Sequence, residues 1–138
     1  MRLRAAARVT GPLLAALALG ACAAGSSQGP PSVCTAVFTY ISLAVLNQNG
    51  TPATDAVIYD TIPRTGVNFA MAQDSALVGT GTYDIFDDNR LSAIRHTGDS
   101  VLVTGVHAPK RFSAMFYIDA PDGCHVHKVA GPDTVTLQ

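Results

Sequence analysis

Two histidines, His125 and His127, stand two residues apart near the end of the chain, in the run Asp122-Gly123-Cys124-His125-Val126-His127. On an extended strand successive side chains alternate between faces, so a spacing of two would put both imidazoles on one side. With His107, or His96, from a neighbouring strand, three ring nitrogens would suit Zn²⁺ or Cu²⁺ at about 2.0–2.1 Å. The alternative is a pair of solvated surface histidines. A second group, Asp84, Asp87, Asp88 and Asn89, offers oxygen ligands for Ca²⁺. It lacks the central Gly and closing Glu of an EF-hand loop, so an Asx-rich turn is the preferred reading.

Catalytic patterns are missing at the level of local motif. Ser75, Ser92, Ser100 and Ser113 have no Gly-x-Ser-x-Gly elbow around them. Ser26 and Ser27 have nothing nearby to orient a base. Gly79-Thr80-Gly81 is too short to cradle a dinucleotide or a triphosphate and is followed by no Lys. The expectation is a protein without catalytic residues, and without an obligatory cofactor.

Three cysteines divide by context. Leu19-Gly20-Ala21-Cys22 closes a short apolar run, Pro12–Ala21, behind a basic head of Arg2, Arg4 and Arg8. About twenty apolar residues are needed to span a bilayer comfortably, and this run is shorter. Small residues before a cysteine form a bacterial lipobox, so Cys22 is expected to become the lipidated N-terminus after removal of residues 1–21. Residues 22–33, with the run Ala-Ala-Gly-Ser-Ser-Gln-Gly-Pro-Pro-Ser, read as a flexible tether. Cys34 and Cys124 remain, an even pair in an exported chain, which implies a disulfide. Ninety residues separate them, and closing so long a loop stabilises by about 4–5 kcal/mol in the chain-entropy model.

The elements that would position these residues belong to residues 34–138, of single-domain length. Beyond the signal six basic residues face ten acidic ones, a formal charge of −4. All ten are Asp, a turn and cap former, and Glu is absent, which argues against exposed helices. No basic stripe exists, so nucleic acid is excluded as an expected partner.

Short apolar and β-branched runs alternate with turn residues. Thr35–Leu46 is followed by Asn49-Gly50, a strong hairpin signal. Ala56–Ile62, Val67–Ala72, Gly81–Phe86, Leu91–Arg95 and Ser100–His107 come next, with a minor helix allowed over Ala70–Ala76. The clearest strand opens the hairpin Arg111–Val129, where Phe112, Ala114, Phe116 and Ile118 alternate with Arg111, Ser113, Met115 and Tyr117. Asp119-Ala120-Pro121-Asp122-Gly123 reverses the chain, and Cys124 opens the return strand. Thr134–Leu137 is the last. Seven to nine strands at roughly ten-residue spacing predict a single antiparallel all-β sandwich, immunoglobulin-like in architecture.

The chain also resembles the carboxypeptidase regulatory-like domains, which are prealbumin-like (transthyretin-like) β-sandwiches. The residues that carry this are Asn49-Gly50-Thr51-Pro52 with Asp55-Ala56-Val57, then Gly81-x-Tyr83-x-Ile85. Asp122-Gly123-Cys124-His125-Val126 with Val135-Thr136-Leu137 is similar to the last strands of lipoprotein members. Arg64–Val78 departs from the family's Asp-x-x-Gly-x-Tyr arrangement. The Tyr-Arg-Gly-Ser tail of the hydroxyisourate hydrolases, which share the fold, is absent from Asp133–Gln138. The resemblance implies a binding, folding or display module rather than an enzyme.

The sequence thus leads to a non-catalytic lipoprotein of the bacterial cell envelope, facing the periplasm or cell surface. Its partners would be the membrane, through Cys22, and a protein, peptide or glycan. A binding face is expected at the His125/His127 strand or at an open sheet edge. The alternatives are a periplasmic Zn or Cu carrier using His107, His125 and His127, and a small hydrolase whose site no motif marks.

Overall fold

A computed structural model describes residues 33–71 and 77–138. Residues 1–32, which hold the expected signal, Cys22 and all but the last residue of the expected tether, lie outside the described residues, as does most of the stretch read as a minor helix.

The chain forms eight strands: β1 (Tyr40–Leu46), β2 (Val57–Ile62), β3 (Val67–Met71), β4 (Thr82–Asp87), β5 (Asp99–His107), β6 (Lys110–Asp119), β7 (His127–Ala130) and β8 (Thr134–Thr136). They build a sandwich of two sheets, ordered β4-β1-β8 and β3-β2-β5-β6-β7. Pairing is antiparallel except between β1 and β8. The all-β sandwich expected from the strand spacing is what forms.

Period-two alternation explains the core. Ile41, Leu43 and Val45 of β1 face Ile58, Ile62, Val101, Val103, Phe116 and Ile118 from the larger sheet, all of them buried. Burying a side chain of this size is worth about 1.5–3 kcal/mol. At Gly105 a Cβ would come within 2.1 Å of the Phe112 ring. The glycine is therefore the seat of that ring where β5 and β6 turn through Ala108-Pro109.

Two sequence expectations fail here for physical reasons. Asn49-Gly50 does turn the chain, with Gly50 at φ 80°, but no hairpin follows. β1 pairs with β4 and β8, and β2 pairs with β3 and β5, leaving only a Leu46–Pro52 bridge across the turn. Leu91–Arg95 is not a strand. Asp88–Ala93 is a 3₁₀ helix whose N-cap, Asp87, accepts from the Asn89 N–H at 3.0 Å and pairs with Arg90 at 2.7 Å. Asp side chains that bond nearby backbone compete with ladder pairing, and here they win.

Polar groups pin the ends of the sandwich. The Tyr83 hydroxyl, buried, donates to Ala53 O at 2.7 Å and accepts from the Ala56 N–H at 2.9 Å. Asp99 receives Arg64 through Nε at 2.7 Å and Nη2 at 2.6 Å, and the Arg95 N–H at 2.9 Å. The Arg64 guanidinium above all holds the Asp99 carboxyl well below the usual range, against the opposing effect of its burial.

Candidate functional site

Cys34 and Cys124 form the expected disulfide, with Cα atoms 5.3 Å apart. It ties the segment entering β1 to the segment entering β7. Each cysteine is the immediate chain predecessor of a residue with a reactive side chain, Thr35 and His125. Across that staple Thr35 Oγ1 lies 2.9 Å from His125 Nε2, and His125 Nδ1 lies 2.8 Å from Asp88 Oδ2.

The local backbone explains why His125 turns this way. The return strand begins at His127, not at Cys124. Asp122 Oδ1 accepts the N–H groups of Cys124 and His125, at 2.9 and 3.0 Å, and so coils the chain after the turn. Asp88, at the start of the 3₁₀ helix, accepts from the Thr39 N–H at 2.8 Å, the Val126 N–H at 2.9 Å and His125. Burial pushes the Asp88 carboxyl up, but the His125 hydrogen bond and the two backbone donors outweigh it and hold it below the ordinary value. An ionised Asp88 accepts a hydrogen bond from the Nδ1–H, and the network therefore assigns Nε2 of the neutral ring as the acceptor facing Thr35.

The three histidines read as metal ligands do not meet. His107 and His127 lie against Lys110 and Asp119, at opposite ends of β6, which at about 3.4 Å per residue are roughly 30 Å apart. His107 Nδ1 is 3.2 Å from Asp55, and His127 Nε2 is 3.9 Å from Asp122. His125 and His127 do not share a strand face, because His125 precedes the strand and turns to Asp88. Among the described residues no three His, Cys, Asp or Glu side chains converge as metal ligands. The acidic group read as a calcium alternative is spent on Ser42, Arg90, His125 and backbone donors.

A second site is a face rather than a cluster. On the outer side of the large sheet the register sets Tyr59–Thr104–Ser113, Thr61–Leu102–Met115 and Val57–Val106–Arg111 in rows, with Ser100 beside Tyr117. Arg111 is the only charged side chain in these rows. Met115, at the β6 end of its row, is 51% exposed, and Val57, Tyr59, Val106 and Tyr117 are exposed as well. At one corner the face dips into an open cleft of ≈ 670 Å³ bounded by Thr104, Val106, Arg111, Ser113, Thr136 and Gln138.

Beneath this sheet lies a residue out of keeping with the core. Asp60 occupies an inward position of β2 between Ile58 and Ile62 and is 0% exposed. Among the described residues neither carboxyl oxygen has a hydrogen-bond partner. Burial pushes its pKa from 3.8 to about 8, offset in part by the Arg90 guanidinium and reinforced by Asp87. Arg90 itself is committed to Asp87 and stacks 5.2 Å above the Phe69 ring.

No family model, curated protein or solved structure matches the chain.

The sequence reading missed Thr35 and Asp88 as partners of His125, since 90 and 37 residues separate them. The one available signal was that Thr35 and His125 each follow a cysteine of the disulfide. Asp60 was visible in principle, because Val57-Ile58-Tyr59-Asp60-Thr61-Ile62 alternates and sets Asp60 in the inward register.

Proposed function

We propose that this chain is a lipid-anchored module of the bacterial cell envelope that binds a protein, peptide or glycan through the outer face of its five-stranded sheet. The observation that carries the reading is the face itself. A solvated face of an antiparallel sheet is usually polar, whereas β2, β5 and β6 leave Tyr59, Leu102, Met115 and Tyr117 in rows with one Arg at the margin. Aromatic residues, Met and Arg are the types enriched at interfaces, and charge is depleted at their centres. Between the apolar groups stand the hydroxyls of Ser113, of Thr61, which accepts from Asn68, and of Thr104, which donates to Tyr59 O. The cleft beside Arg111 adds a concave end where a side chain or sugar ring would seat.

The envelope location rests on Leu19-Gly20-Ala21-Cys22 and on the disulfide, which suits an oxidising compartment. The resemblance to carboxypeptidase regulatory-like accessory domains supports the same assignment. Attachment has its own expected result. Wild-type protein partitions into a detergent phase, whereas Cys22→Ser remains an unprocessed or soluble precursor with a folded domain. Equal partitioning of the two would contradict the anchor. Binding is tested by photo-crosslinking from positions on the outer face, whose outcomes close the Discussion.

A further inference from the structure

We propose that Thr35, His125 and Asp88 form an acyl-transfer site, with the Thr35 hydroxyl as nucleophile toward apolar carboxylic esters. This goes beyond the binding reading and does not depend on it. A nucleophile within hydrogen-bond reach of a base, itself oriented by a third group, is the geometric signature of covalent catalysis. Here the two links measure 2.9 and 2.8 Å. Asp88 is fixed by two backbone N–H groups besides the imidazole, so the base is held in one tautomer. The Cys34–Cys124 bridge joins the residues directly before Thr35 and His125 and so holds together the two segments on which hydroxyl and imidazole meet.

The surroundings select the substrate class. Thr35 is exposed, and the same segment leaves Val33, Val37, Phe38 and Tyr40 on the surface. Apolar side chains flanking an activated hydroxyl suit the acyl chain of an ester better than a charged or peptide substrate. The Ala36 N–H, next along the chain from the nucleophile, has no acceptor among the described residues and is available to a developing oxyanion.

The step balances without any further reagent. Thr35 Oγ1 bonds to the ester carbonyl carbon as its proton passes to His125 Nε2. The carbon–oxygen bond to the alcohol then breaks, and the alcohol leaves with that proton. Water next adds to the acyl carbon, giving a proton to Nε2. Thr35 Oγ1 departs and takes the proton back, so ester and water become acid and alcohol. Thr35 and His125 act as catalytic residues in this scheme and Asp88 as a positioning residue.

The test uses the full chain in detergent with p-nitrophenyl butyrate. Wild type should release p-nitrophenol, and an acid quench should trap one butyryl group on the peptide carrying Thr35. Thr35→Ala should lower turnover by roughly 10²-fold or more, the usual contribution of positioned acid–base groups. Thr35→Ser should retain it. Thr35 is exposed, so both variants should stay folded, with Thr35→Ala losing only the one hydrogen bond to His125. Asp88→Asn should lower kcat with KM unchanged, because Asp88 meets the base and not the ester. Turnover in Thr35→Ala equal to wild type, or acylation elsewhere than Thr35, overturns the proposal.

Discussion

Replacing Asp60 by valine should stabilise the protein, and the gain should grow as pH rises from 4 to 8. The folded chain holds the Asp60 proton up to about pH 8, whereas an unfolded aspartate releases it near the ordinary value of 3.8. Between those values the native state binds the proton that the unfolded state has lost, so its stability falls with increasing pH. About four pKa units at ~1.4 kcal/mol each set a ceiling on the order of 6 kcal/mol for this loss. Above pH 8 the charged carboxylate is buried beside hydrophobic residues, with Arg90 already paired to Asp87. Valine removes the titration and fills the inward position with an apolar, β-branched side chain. Below pH 4 it should still gain about 1–3 kcal/mol, from removal of an unpartnered polar group. Urea midpoints for both proteins at pH 4, 6 and 8 check this. A wild type no less stable at pH 8 than the variant would contradict a buried, unpartnered Asp60. Asp99 and Asp88 act in the opposite sense: their lowered values contribute stability above pH 3.8 that is lost on further acidification.

The second large effect belongs to the disulfide. Reducing Cys34–Cys124, or replacing both cysteines by alanine, should cost about 4–5 kcal/mol, the loop-closure entropy of a 90-residue ring. The loss should begin locally. Outside the bridge, residues 33–39 are held by the Thr35–His125 hydrogen bond and by Asp88, through the Thr39 N–H and the Asp88 N–H bonded to Thr39 O. Hydrogen exchange should therefore show faster exchange at Thr39 and Val126 in the double variant before the core strands respond. Equal urea midpoints with and without reductant would contradict the prediction.

The fold was legible wherever one buried face met period-two alternation. Phe112, Phe116 and Ile118 on β6, and Val101 and Val103 on β5, announce their strands because every second residue must leave water. Pairing was less legible. Asn49-Gly50 specifies a reversal of direction, but the partner of β1 is decided by which sheet can bury Leu43 and Val45. In Asp88–Ala93 the apolar Leu91 and Ala93 suggested a strand, and side-chain capping by Asp87 decided for a 3₁₀ helix. The sites split the same way. The disulfide followed from counting cysteines in a chain expected to be exported, and it formed. A His-x-His ligand pair required an extended chain through His125, and Asp122 prevents that by capping Cys124 and His125. The Thr35–His125–Asp88 relay and the rows on the outer face arise from register and long-range packing, which no local spacing encodes.

The central claim, that the outer face of the large sheet is where a partner binds, is tested most directly by placing a photo-reactive amino acid at Tyr59, Ser113 or Met115 in the cell. Val129, which is exposed but lies outside the rows on β2, β5 and β6, serves as the control position. Irradiation should give one discrete adduct from the three face positions and none from Val129, and Thr104→Asp should abolish the adducts while lowering stability by no more than about 1 kcal/mol. Adducts from Val129 but not from the face, or face adducts indifferent to Thr104→Asp, would contradict the account.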